Sequence, residues 1–281
     1  MIIWLASYPK SGNTWVRSII SCLLYSKEGN FNFELIKKIE QFPEKKYFEN
    51  LIDRFDNFNK ITENWILAQE KINLSDEVKL FKTHQGKYTV GKNNFTDKNN
   101  TLATIYIVRD PRNLVTSISN HFSLTKLEAS NFLLTPQLIG NGKSMKERIG
   151  GMYNLLGRWN EHYKSWTKDK DNLLLIKYEN LLTNTEEELK KIILFLGKYL
   201  DFDTNTEKNK KIIETTKFES LQKMEKQGEF LEAVKSKYTN GSVSFFHLGP
   251  KNKWEDNLDK EIKKNIEKKF EKEMKELKYI N

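Results

Sequence analysis

The chain opens on an apolar run, Ile2-Ile3-Trp4-Leu5-Ala6, which breaks into a turn of Pro, Ser, Gly and Asn (Ser7 to Asn13) and resumes as a helical pattern. Consecutive apolar residues bounded by turn formers fit a strand buried on both faces. From Thr14 to Leu24 the residues Trp15, Val16, Ile19, Ile20, Leu23 and Leu24 recur at helical spacing, with Thr14 placed to act as N-cap. Strand, tight loop, helix begins a βαβ unit. Such an opening calls for a parallel sheet with helices packed on its faces.

The rest of the chain keeps that alternation. Residues 28–75 are polar with scattered aromatics and predict short helices and loops. Val78 to Lys82 predicts a second strand, Asn93 to Asn100 a turn, and Leu102 to Val108 a third strand rich in Ile, Val, Tyr and Thr. Helical patterns follow over Leu114 to Phe122 and Gly150 to Trp166. A fourth strand is expected over Leu173 to Tyr178, then a helix over Glu186 to Leu196 closed by Gly197. Lys260 to Lys278 predicts a solvated helix laced with Lys/Glu pairs four residues apart. Repeats and Gly/Ser- or Pro-rich linkers are absent from the sequence. The expected architecture is therefore α/β: a single domain over 1–281, with a central parallel sheet flanked by helices and a P-loop-like strand-loop-helix.

A net charge of +9 raises nucleic-acid binding as a function class. The makeup of the charge argues against it, because only six of the 47 basic residues are arginine and the lysines alternate with glutamates. Cys22 is the single cysteine, which excludes intrachain disulfides and suits a reducing compartment. The first functional motif starts at residue 8, leaving little room for a leader, and no apolar run has the length of a membrane span. A cytoplasmic protein is expected.

Three motifs carry chemistry. Tyr8-Pro9-Lys10-Ser11-Gly12-Asn13-Thr14-Trp15 sits at the first strand-to-helix junction. A helix N-terminus offers free N–H groups and the positive dipole end, Gly12 permits close approach of an anion, and Lys10 brings a charge. An ordinary βα turn with a chance lysine has the same local pattern. The order of Lys10 and Gly12 is not that of a Walker A loop. Leu80-Phe81-Lys82-Thr83-His84 closes the second strand, at the edge where α/β proteins bind ligands, and a histidine there can serve as general base. Arg109-Asp110-Pro111-Arg112 follows the third strand with Ser117 on the next helix, an arrangement that suits a fixed phosphate. A helix-initiating turn with an Arg–Asp pair is the plainer alternative.

Together these motifs resemble the cytosolic-type sulfotransferases. The Tyr-Pro-Lys-Ser-Gly opening and Thr-Trp ending look like that family's 5′-phosphosulfate loop, Lys82-Thr83-His84 like its base motif, and Arg109 with Ser117 like its 3′-phosphate motif. Gly157, Trp159, His162 and Trp166 resemble its Gly-x-Trp-x-x-His-x-x-x-Trp helix. Tyr178, and Thr216 with Phe218, match residues that contact the nucleotide. At the C-terminal end the family has Arg-Lys-Gly and then Gly-Asp-Trp. Here Phe246-His247-Leu248-Gly249 puts His247 and Leu248 where Arg and Lys stand, and Lys251 or Lys253 is left to restore the charge. The family's Lys-x-x-x-Thr-Val dimerisation signature is not visible.

The resemblance implies transfer of a sulfuryl group from 3′-phosphoadenosine 5′-phosphosulfate (PAPS) to a hydroxyl or amine of an unidentified acceptor. His84 would be the base, Lys10 and Lys82 would stabilise charge, and no metal would be needed. It assigns the nucleotide to Lys10, Ser11, Gly12, Asn13, Thr14, Trp15, Arg109, Ser117, Tyr178, Thr216, Phe218, His247, Gly249 and Lys251. Two rival readings stand beside it. A P-loop nucleotide kinase would need magnesium ligands, with Asp110 the one residue placed like a Walker B acid. A basic nucleic-acid-binding protein would need an arginine cluster or an aromatic platform.

Overall fold

In the computed structural model the described residues are 1–140, 152–230, 232, 234–235 and 242–281. At the centre lies a five-stranded sheet built from β1 (Ile2–Ser7), β2 (Glu40–Gln41), β3 (Lys79–Thr83), β4 (Thr101–Val108) and β5 (Leu173–Lys177). The strand order is β2-β3-β1-β4-β5 and every neighbouring pair is parallel. The α/β expectation, with helices flanking a central parallel sheet, is met.

Side chains alternate across the sheet, so an all-apolar strand feeds two cores at once. Ile2, Trp4 and Ala6 join Phe81, Tyr106 and Val108 in a core on one face. Ile3 and Leu5 join Leu80, Ala103, Ile105, Ile107 and Ile176 on the other. Helix α1 (Asn13–Tyr25) covers the second face with Trp15, Val16, Ile19, Ile20 and Leu23, all buried. The first face is filled by aromatics: Trp4 lies 5.6 Å from Phe42, 5.3 Å from Phe95 and 6.2 Å from Trp166, ring centre to ring centre.

After β4 comes α2 (Pro111–Phe122), whose first turn carries Pro111 and whose N-cap Asp110 accepts from Arg112 N–H. Helix α3 (Trp159–Thr167) packs on the first face, and α4 (Tyr178–Thr183) follows β5 directly. Then come α5 (Thr185–Leu196), α6 (Thr206–Thr216), α7 (Phe218–Lys226), α8 (Lys260–Lys269) and α9 (Glu271–Glu276).

Four expectations need correction. The helix expected over Gly150 to Trp166 is a strand at Tyr153–Gly157 followed by α3; Gly150 and Gly151 lie outside the described residues. That strand pairs antiparallel with Gln137–Gly140. Gly157, at φ +64°, breaks the run before Trp159. The first helix is capped by Gly12 rather than Thr14. Its φ of +103° is open to glycine, and the chain turns helical at Asn13. The Lys260 to Lys278 stretch is two helices, and it is not simply solvated. Ile262, Ile266, Phe270 and Met274 recur every four residues and are buried, with Phe270 against Trp159 at 5.0 Å. The expected pairs do form outside, as Lys263–Glu267 and Lys275–Glu271. The N-terminal arginine of Arg-Asp-Pro does not pair with its neighbour either. Asp110 accepts from Arg112 Nε at both carboxylate oxygens and from Nη2 at Oδ2, while Arg109 turns elsewhere.

Candidate active site

Because all five strands are parallel, their carboxyl ends share one edge, and β1 sits where the chain's path turns from one half of the sheet to the other. A cavity of about 460 Å³ opens at that edge. Strand order fixes the order of the side chains along it. Gln41 ends β2, Lys82 and His84 lie at the end of β3, and Lys10 to Trp15 follow β1. Arg109 and Ser117 follow β4, and Tyr178 follows β5. Residues from distant parts of the chain complete the wall: Phe218, Phe245, His247, Gly249 and Asn252.

The loop after β1 is held tightly. Asn13 Nδ2 donates to Leu5 O at 3.1 Å and to Ser7 Oγ at 3.2 Å. A Cβ on Gly12 would lie 2.6 Å from Tyr178 Cδ2, so the ring of Tyr178 rests on the bare glycine backbone. Lys10 takes a left-handed backbone, φ +67°, that costs a non-glycine residue roughly 1–2 kcal/mol. Arg109 Nη1 holds that backbone by donating to Lys10 O at 3.1 Å. The Lys10 Nζ is buried over the Phe245 ring, 3.4 Å from its centre. Burial, with Arg109 nearby, lowers its pKa to about 7.

Arg109 is the hub of the next stretch. Its guanidinium lies 4.0 Å from the centre of the Tyr178 ring, and Nη1 also donates to Ser117 Oγ at 3.1 Å. Asn252 Nδ2 donates to the same Ser117 Oγ at 3.1 Å and to Asn113 O at 2.9 Å. Gly249, at φ +52°, lies under Phe218, whose ring atoms are 2.4–2.5 Å from where its Cβ would be.

His84 is fixed from two sides. Its Nδ1 is 2.8 Å from Ser7 O, a carbonyl that can only accept, so Nδ1 carries the hydrogen and Nε2 keeps the lone pair. The backbone is tied to α3. His162 Nε2 donates to His84 O at 3.0 Å, and Trp166 Nε1 donates to Gln85 O at 2.9 Å. Tyr106 Oη sets the His162 tautomer by donating to its Nδ1 at 2.8 Å. Burial, then Lys82 beside it, lowers the His84 pKa to about 4, so the imidazole is neutral at pH 7. Burial and Arg17 lower the Lys82 ammonium to about 8.

Most of the residues singled out from the sequence meet at this cavity: Lys10, Gly12, Asn13, Thr14, Trp15, Lys82, His84, Arg109, Ser117, Tyr178, Phe218, His247 and Gly249. Three do not line it. Ser11 is fully buried behind the loop, and Thr216 is buried with its hydroxyl donated to Ile212 O at 2.7 Å. Lys251 is exposed, as is Lys253; Asn252 between them is the residue that faces the cavity. Sequence reasoning missed Asn252, Phe245 and Glu232. It also missed the buried Arg17, whose signal was its rarity: one of six arginines, on the helix that carries the phosphate-type loop.

The donor set suits a polyanion. Lys10 Nζ, Trp15 Nε1, Arg109 Nε and Thr116 Oγ1 are buried without a protein hydrogen-bond partner, although such groups are normally paired. The magnesium-dependent kinase reading finds no such support, because the Asp110 carboxylate is buried and bound by Arg112. Among the described residues no helix is long and apolar enough to cross a membrane.

Comparison with known proteins identifies the family. The sequence model of the sulfotransferase domain matches residues 2–278. The chain is 25% identical over 287 residues to an amine sulfotransferase of Oryctolagus cuniculus, covering 99% of this chain and 83% of the relative. It is 23% identical to the Homo sapiens sulfotransferase 2A1, covering 97% and 84%. Among solved structures, mouse sulfotransferase SULT7A1 complexed with PAP superposes with a TM-score of 0.58 at 21% identity, covering 97% and 84%. A retinol dehydratase in complex with retinol and PAP gives 0.57 at 19%, covering 98% and 81%. The chain belongs to the sulfotransferase domain family.

Proposed function

We propose that the protein transfers a sulfuryl group from PAPS to a hydroxyl or amine of an acceptor, with His84 as general base. The observation that carries this reading is the His84 tautomer. Its Nδ1–H is committed to Ser7 O, which leaves a basic Nε2 on a neutral ring that lines the same cavity as two lysines. The bound nucleotide of the solved relatives supports the choice of donor.

The acceptor oxygen or nitrogen forms a bond to sulfur while the bond from sulfur to the bridging phosphate oxygen breaks. The acceptor's proton passes to His84 Nε2, and the bond pair leaves on the 5′-phosphate of 3′-phosphoadenosine 5′-phosphate. Lys10 neutralises that oxygen from the loop, and Lys82 shares the charge on the transferring group. Fixed cations aimed at developing charge give the largest contribution in such sites. Arg109 and Ser117 would hold the 3′-phosphate, with Asn252 positioning Ser117 by donating to its Oγ. Tyr178 and Phe218 would flank the nucleotide's base. With His247 and Leu248 in place of Arg and Lys, the charge opposite the 3′-phosphate falls to Arg109, held by its bonds to Lys10 O and Ser117 Oγ.

The reading is tested by incubating the protein with PAPS and a panel of phenols, alcohols and amines, with products analysed by mass spectrometry. A mass increase of one sulfuryl group on an acceptor, dependent on PAPS, is expected. No transfer to any member, together with no binding of 3′-phosphoadenosine 5′-phosphate, would overturn it.

A further inference from the structure

Arg17 lies one helical turn beyond the loop on α1, and it is 2% exposed. A buried arginine without compensation is expensive, so its partners matter. Its Nη2 is 2.5 Å from Glu232 Oε1, and the other oxygen of the same carboxylate, Oε2, is 3.3 Å from Lys82 Nζ. Its Nε is buried with no hydrogen-bond partner. One carboxylate therefore bridges Arg17 and Lys82, and Glu232 belongs to the wall of the cavity that His84 also lines.

The spacing is informative. Two cations that share the oxygens of one carboxylate also fit two oxygens of a tetrahedral oxyanion, and arginine favours such forked recognition. The electrostatics agree. Burial pushes the Glu232 carboxyl up, but Lys82 and Arg17 outweigh it and hold the pKa at about 2. Burial first and then the same arginine lower the Lys82 pKa.

Resting on the transfer reading above, we propose that Arg17 and Lys82 form a two-cation seat for the sulfuryl oxygens of the donor, which Glu232 fills when no donor is bound. Arg17 is then a binding residue for the transferring group. Donor binding exchanges one anion for another, so the buried guanidinium is never left without a counter-charge. Glu232 sets a threshold, because a ligand carrying the sulfuryl group must displace it while the desulfated nucleotide need not.

The experiment compares affinities of PAPS and 3′-phosphoadenosine 5′-phosphate by calorimetry, without acceptor, in Arg17→Met, Arg17→Lys and Glu232→Ala. Arg17→Met should weaken PAPS by about 10- to 100-fold, the worth of a charged hydrogen bond, and change the desulfated nucleotide by less than about threefold. Arg17→Lys should recover part of the PAPS loss. Glu232→Ala should raise the ratio of PAPS affinity to desulfated affinity, and it stays informative if Arg17→Met fails to fold. Equal losses for both nucleotides in Arg17→Met, or an unchanged or lower ratio in Glu232→Ala, would overturn the seat. So would intact PAPS affinity in a folded Arg17→Met protein. Failure of the wild type to bind either nucleotide would instead overturn the transfer reading itself.

Discussion

Lys10 is held close to losing its proton in the free protein, since burial and Arg109 bring its pKa to about 7. A phosphate brought against it reverses the balance and restores the proton. Binding of 3′-phosphoadenosine 5′-phosphate should therefore take up a proton above pH 7. The affinity should be flat below that pH and fall above it, approaching about tenfold per pH unit by linkage. Lys10→Arg, which stays charged, should remove the slope. Calorimetry from pH 6 to 9 measures this, and a flat profile in the wild type would mean that Lys10 does not face the phosphates. Lys10, Lys82, His84 and Arg109 were legible because each is a chemically active type at the end of an apolar run. Arg17 and Glu232 were not: their contact spans 215 residues, and a glutamate in a Lys/Glu-rich chain carries no local mark. Asn252 was hidden for the same reason, 135 residues from Ser117.

Elements were legible where burial demanded a pattern. β1, β3, β4 and β5 follow apolar runs because they are covered on both faces, whereas β2 is two polar residues at the sheet edge and offers no run at all. The strand Tyr153–Gly157 was merged into α3 because five residues are too few to separate the two periods. The buried face of α8 and α9 was readable from Ile262, Ile266, Phe270 and Met274 at intervals of four, but the lysines between them drew the reading outward. The junction of β1 and α1 is the element on which the site depends. Gly12 there combines a left-handed φ with close contact to Tyr178, whose ring also packs edge-on to Trp15 at 5.7 Å. Gly12→Ala should cost roughly 1–2 kcal/mol in backbone strain alone, and it should weaken 3′-phosphoadenosine 5′-phosphate by displacing Tyr178. Thermal unfolding with and without nucleotide checks both effects. Wild-type stability together with wild-type affinity would show that the close approach is not needed.

At the scale of the molecule, the sheet turns sequence order into a line of chemistry. The order β2-β3-β1-β4-β5 runs from Gln41, past the Lys82–His84 pair and the Lys10 loop, to Arg109 and Tyr178. Parallel strands make that line possible, because every functional loop emerges on one edge. The same motifs, in the same chain order, carry the resemblance to sulfotransferases in the sequence. The part of the cavity wall supplied by residues 28–75 was less legible, since Gln41 and Glu44 stand on polar segments without a pattern. The central claim is that His84 removes the acceptor's proton during sulfuryl transfer. Single-turnover transfer from PAPS to a series of phenols and alcohols, wild type beside His84→Ala, tests it most directly. Nucleotide affinity should stay nearly unchanged, with a loss of about 10²–10⁴-fold in rate on a weakly acidic alcohol and a smaller loss on a nitrophenol that ionises readily. A His84→Ala protein that keeps its full rate on the weakly acidic alcohol would contradict it.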